Sequence, residues 1–400
     1  MIGDRIRQAR LIEGATQDEV IARLASLGVK LSKAALSKFE RNQCNPTVSV
    51  LMHLASVLNV RASYFVQEPE VDVTWVAFRK TTRLTAAQEE HIRAFAKDRA
   101  EKQAWLQMKL YPDEDMYLPR PISVQTERDA ERAAEYLRQQ WNLGEDALES
   151  VAQVFEDHGG VLIFWETDQG EFDGLSGWVN ETIPIAVVNN GVSIERRRFN
   201  LAHELGHMIM LCDTLAEDGQ EKLAQRFAAA FLVPAKVAIY ELGAKRRRIE
   251  LEELALLKQK YGLSMRPWIK RANELNIIDN ALCNNLLKLL KERGDSKQEP
   301  VDYIGKEEPR RMKQMTLRAL AERVISEEEA LKLCPGCICK SDAQITQPPG
   351  RRYSARDLMK LSREERNVII AEMARGAVDE YRTNEELNSF NVKDDIIEDY

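Results

Sequence analysis

The stretch RRRFNLAHELGHMIML, residues 196–211, constrains this chain more than any other. Its apolar positions Leu201, Ala202, Leu205, Met208, Ile209 and Leu211 follow a helical period and belong in a dry environment. His203, Glu204 and His207 sit among them, and burying three ionisable groups is costly unless something compensates. A metal ion would. Residues four apart on a helix are turned by only about 40°, so His203 and His207 project from one face and can reach one ion. Neutral imidazoles suit Zn2+. Glu204 is turned by about 100° from His203, which places its carboxylate beside an attacking water rather than on the metal. This is the H-E-x-x-H arrangement, with the glutamate as general base.

A catalytic zinc takes three protein ligands and keeps a fourth position open. His53, His91 and His158 fall in other sequence patterns, so a downstream carboxylate is required. The segment EKLAQRFAAAFLVP, residues 221–234, supplies Glu221 on a helix whose Ala224, Phe227, Ala228 and Phe231 face is small and apolar enough to pack closely on the motif helix. The loop CDTLAEDG can join the two helices antiparallel. Glu217 is the alternative ligand, and Cys212 is the one neighbour that could turn the pair of histidines into a closed structural site.

At 400 residues the chain is long enough for two to four domains. With 44% hydrophobic and 30% charged residues it reads as soluble, and no apolar run approaches the roughly 18 residues of a membrane span. The start, MIGDRIRQAR, lacks an apolar signal core, so a cytoplasmic protein is expected, without a membrane partner. Six scattered cysteines then read as reduced thiols. In CPGCIC, Cys334, Cys337 and Cys339 have no second Cys/His pair with which to build a tetrahedral site.

The expected fold class is α+β and predominantly α-helical. Residues 1–68 form a five-helix unit, and 69–120 a connecting strand, helix and linker. Residues 121–300 hold the motif helix and a small three-stranded sheet from GVLIFWE, GLSGWV and IPIAVVN. Residues 301–340 are a helical extension, and 341–400 a joint at TQPPGRR followed by an acidic helical tail. Residues 379–400 carry eight acids against two bases.

The net charge of −7 is unevenly spread, because residues 1–67 hold nine Lys and Arg against five Asp and Glu, or +4. That asymmetry points to a nucleic-acid partner for this unit alone. TQDE, residues 16–19, has capping-box spacing, and Ser32 and Thr47 can cap the helices that follow. The run TQDEVIARLASLGVKLSKAALSKFERNQCNPTVSVLMHLASVLNV resembles the xenobiotic-response-element (XRE) type of helix-turn-helix. The resemblance implies a second helix lying in the major groove. Ser32, Lys33, Ala34, Ser37 and Lys38 are then the candidates for base edges, and Gln17, Arg41 and Asn42 for phosphates.

From FDGLSGWV through RRRFNLAHELGHMIML to EKLAQRFAAAFLVP, the chain resembles the ImmA/IrrE family of zinc metallopeptidases. That family shows R-F-x-x-A-H-E-L-G-H and then E-x-x-A-N-x-F-A, with Gln225 standing here in place of the asparagine. The similarity runs from about Val71 to Ile278. It implies a zinc-dependent endopeptidase that cuts a protein, a repressor above all, in a stress or mobile-element switch, fused to a DNA-binding regulator that acts as a homodimer. Two other readings remain open. One is a regulator that senses a ligand or metal without cutting; the other is an antitoxin-like protein, since the tail resembles the segments with which small bacterial antitoxins hold a basic toxin.

Overall fold

The computed structural model describes residues 2–66, 71–80, 84–112, 118–167, 172–212, 214–294 and 299–337, all within one unit of the chain. The flexible joint, the helical tail and its partner-binding role fall on residues 341–400, outside the described residues, as does Cys339.

Four α-helices, α1 (Ile2–Ile12), α2 (Gln17–Ser26), α3 (Lys33–Glu40) and α4 (Val48–Val57), and a 3-10 turn at Ala62–Val66 build the N-terminal part. Their starts are set locally. Thr16 and Glu19 form the reciprocal capping box of α2, with Thr16 N donating to Glu19 at 2.7 Å. Ser32 accepts from Ala35 N at 3.2 Å, and Thr47 from Val50 N at 3.4 Å. Ile6, Leu24, Leu36, Leu54 and Phe65 are buried between them. Across this core Arg10 pairs with Glu40 at 2.6 Å.

Next come β1 (Val73–Lys80), α5 (Ala86–Leu110), β2 (Ile122–Ser123), α6 (Glu127–Gln140), α7 (Val151–Asp157), β3 (Val161–Trp165), β4 (Phe172–Val179) and β5 (Ile183–Asn189). The central helix α8 (Ile194–Ile209) leads into β6 (Met210–Leu211) and α9 (Glu217–Leu232). Six further helices close the described chain: α10 (Ala235–Leu242), α11 (Leu251–Tyr261), α12 (Met265–Glu274), α13 (Asn280–Glu292), α14 (Arg311–Ala321) and α15 (Glu327–Leu333).

The main sheet has four strands rather than the three expected, in the order β1-β4-β5-β3. The added strand is VTWVAF of the connecting segment, which pairs antiparallel along β4 and satisfies backbone groups that a bare edge would leave open. Strands β4 and β5 are antiparallel, while β3 and β5 are parallel. Alternation places Ile185 and Val187 of β5 toward one face and Ala186 and Val188 toward the other. Against the first face α5 lays Ile92, Ala96, Ala100 and Ala104, a stripe at four-residue spacing. The helix read as a connector therefore covers the sheet. It also holds the N-terminal helices, through Arg5 to Glu101 at 2.6 Å and His91 to the Ile12 carbonyl at 3.1 Å. The second face packs on α8. A two-stranded parallel pair, β2 with β6, was not legible because two residues show no period.

The segment 299–310 has no regular structure and is fastened by acids instead. Glu299 pairs with the buried Lys258 at 2.9 Å, which also holds Glu195 at 2.6 Å. At its end, Arg310 N and Arg311 N donate to Glu156 of α7 at 2.7 and 3.0 Å. The other Glu156 oxygen is buried without a hydrogen-bond partner. Burial outweighs the two N–H donors and pushes this carboxyl up to about 7. A raised carboxyl pKa favours folding below the ordinary value of 4.5, and the contribution is lost as pH rises through about 7. Glu156→Gln keeps an oxygen for both donors, so it should raise Tm at about pH 8 and change it little at about pH 5. Equal shifts at both values would refute this account.

At the end of α15 Cys334 and Cys337 are brought side by side, with Cα atoms 5.5 Å apart, a spacing that a disulfide can bridge. Pro335 and Gly336, the latter at φ +85°, turn the chain tightly enough for the two to meet. Cys44 and Cys283 are free thiols.

Candidate metal centre

Helix α8 carries His203 and His207 one turn apart with their Nε2 atoms 3.1 Å from each other. Glu221, in the second turn of α9, completes the group: its Oε2 is 3.3 Å from His203 Nε2 and its Oε1 is 3.2 Å from His207 Nε2. Ligands on a tetrahedral zinc with bonds of about 2.0–2.1 Å stand roughly 3.3–3.4 Å apart. The donor set and its spacing therefore fit the ion. Glu217, one turn earlier on α9, and Cys212 are not part of the cluster. His53, His91 and His158 are engaged elsewhere; His158 stacks on Trp141 at 4.2 Å.

His203 is fully buried, and Glu204 is 1% exposed. Burial alone would raise the Glu221 carboxyl, but hydrogen bonds from His203 and His207 outweigh it and hold the group well below the usual carboxylate range. Glu221 is thus kept as an anion facing two imidazoles.

Two glycines make room for this geometry. Gly206 lets α9 approach α8, since a Cβ there would lie 2.9 Å from the Phe227 ring. Gly174, in the middle of β4, lies under Glu204, and a Cβ there would come within 2.3 Å of its Oε1. Only a glycine leaves space for the carboxylate. The signal for it was the glycine inside the otherwise apolar FDGLSGWV. Beside it Asp173 pairs with Arg196 at 2.8 Å, and its carbonyl accepts from the Asn200 amide at 3.3 Å, which ties α8 to β4.

On the N-terminal unit, Ser32, Lys33, Ala34, Ser37, Lys38 and Arg41 lie on or next to α3, and all but the half-buried Ser37 are exposed. Lys33 pairs with Asp18 at 2.6 Å. Gln17 and Asn42 also make hydrogen bonds within the unit. Gln17 donates to Glu40 at 2.9 Å. Asn42, at φ +56°, accepts from Gly3 N at 2.8 Å and donates to Asp4 at 3.0 Å.

The arrangement is a candidate metal centre, and comparison with known families points to a peptidase. Residues 155–272 match the model of the IrrE N-terminal-like domain, a peptidase family. That stretch carries α8 and α9 with all three converging donors, and it begins later and ends earlier than the similarity read from about Val71 to Ile278. The match does not extend to the N-terminal helices. No curated protein matches the chain closely enough to serve as a relative.

Proposed function

We propose that this protein is a zinc-dependent endopeptidase of the H-E-x-x-H type, joined to a DNA-binding unit, that cuts a regulatory protein such as a repressor. The convergence of His203, His207 and Glu221 within 3.1–3.3 Å, beside the buried Glu204, is the observation that carries it. A zinc ion held there would polarise the scissile carbonyl and make an attacking water more acidic. Glu204 takes up the proton of that water and passes it to the leaving amine. Its burial over Gly174 holds the carboxylate in one place and excludes bulk water from it.

For DNA, support comes from the +4 charge of residues 1–67 and the exposed Lys33, Lys38 and Arg41 around α3. Phosphate contacts make affinity fall steeply with salt. The full chain is expected to bind its own upstream DNA in this way, with Arg41→Ala weakening all sequences alike and Lys38→Ala changing sequence preference, as read by fluorescence anisotropy. Salt-independent binding would remove the regulator reading. Incubating zinc-loaded protein with repressors encoded nearby should give discrete fragments by mass spectrometry; intact repressors with zinc bound would leave only the sensing role.

A further inference from the structure

His207 opens onto a cleft of about 830 Å3, large enough for several residues of a bound chain. Part of its wall, Val76 and Leu118 to Pro121, comes from outside the family-matched residues. On one side stands Val76 of β1, with Trp178, Glu181 and Thr182 from β4 and the turn after it. On the other stand Leu118 to Pro121, leading into β2, and Met210 and Leu211 of β6.

The wall is built in a way that exposes apolar side chains to water. Val76 is 49% exposed and Leu211 48%. Val76 owes its position to a break in the β1 ladder: Trp75 pairs with Gly177 and Ala77 with Ser176, which leaves Val76 as the extra residue of a bulge. A bulge turns a side chain out of the regular alternation and is frequent at sheet edges beside functional sites. Gly177 admits it, since a Cβ there would meet the Thr74 carbonyl oxygen at 2.4 Å. Arg120 and Glu181 contribute one charge of each sign, so the wall selects by apolar contact rather than by charge.

We propose that the connecting segment, with the strands it borders, forms the specificity wall of the peptidase: the substrate lies extended between β1 and the β2–β6 pair, and Val76, Trp178 and Leu211 select a large apolar side chain next to the scissile bond. This rests on the peptidase reading and goes beyond it in naming the substrate class and the residues that choose it. One added or lost methylene in such a pocket changes discrimination by roughly 10- to 200-fold.

The test uses the full zinc-loaded chain and a random-sequence decapeptide mixture, with cut positions mapped by mass spectrometry. Leu, Ile, Met or Phe should be enriched at one position flanking the cut. Val76→Glu, with zinc content and circular dichroism unchanged, should lower kcat/KM for these peptides by at least about ten-fold, and Val76→Ile should retain it. In parallel, binding of one apolar-flanked decapeptide to Glu204→Gln protein is followed by tryptophan fluorescence, with the same loss on adding Val76→Glu. Cutting without apolar enrichment, or enrichment untouched by Val76→Glu, overturns the inference. Absence of any cutting while the peptide still binds in a Val76-dependent way overturns the peptidase reading and leaves the cleft assignment standing; absence of both overturns the two together.

Discussion

Glu204→Gln is expected to keep zinc in place and to lower cleavage by about two to four orders of magnitude, the usual contribution of a general base. His203→Ala, His207→Ala and Glu221→Gln should each release the metal. The distinction follows from geometry. The two imidazole nitrogens are 3.1 Å apart and each lies 3.2–3.3 Å from one of the two Glu221 oxygens, whereas Glu204 is outside that cluster and lies against Gly174 of β4. An amide in its place preserves the shape but cannot accept a proton, so binding and chemistry separate. At position 221 the amide removes the anion that faces two imidazoles, and the site loses charge as well as one ligand. Metal content by mass spectrometry, read beside cleavage of a reporter peptide, distinguishes the cases. Metal loss in Glu204→Gln with retention in Glu221→Gln would exchange the two roles.

The centre was largely legible because its spacing is local. Four residues on one helix fix the relation of His203 to His207, and a small-residue face at Ala224 and Ala228 marks the helix able to approach them. What surrounds the centre depends on pairings between distant residues, which no periodicity encodes. β1 reads as a strand from VTWVAF, but nothing in those letters says that it borders β4, about a hundred positions later, or that Val76 stands at a bulge and lines the same cleft as His207. Likewise α5 has apolar residues at four-residue spacing, yet its place between two units in the sequence made it read as a connecting helix. The partner that decides the matter, the face of β5 with Ile185 and Val187, lies far along the chain. Gln17 and Asn42 show the same limit: no pattern in the sequence gives their hydrogen bonds to Glu40, Gly3 and Asp4.

Arg198 carries this argument to stability, because no sequence pattern pairs it with Glu307. Arg198 is on α8, five positions before His203, and is fully buried; Glu307 is 3% exposed in the irregular segment before α14. The two form a buried ion pair in which both terminal nitrogens of Arg198 and both Glu307 oxygens are hydrogen-bonded. Arg198 also donates to the carbonyls of Leu148 and Tyr261, at 2.8 and 3.3 Å. Glu307 accepts from Val151 N and Ala152 N at 2.9 and 2.8 Å, closing the first turn of α7. Breaking a buried pair leaves a charge that can neither hydrate nor find another partner, a loss of about 3–5 kcal/mol. Arg198→Met and Glu307→Ala should each destabilise the protein by about that much in urea unfolding. The double variant should cost clearly less than the two losses added, because the second removal takes away a charge already stranded by the first. Binding of a ligand to the folded form alone adds stability. Zinc should therefore raise the stability of the wild type and of each single variant, since α8 carries both histidines. Single losses under about 1 kcal/mol, or strict additivity in the double variant, would show that segment 299–310 is not anchored through this pair.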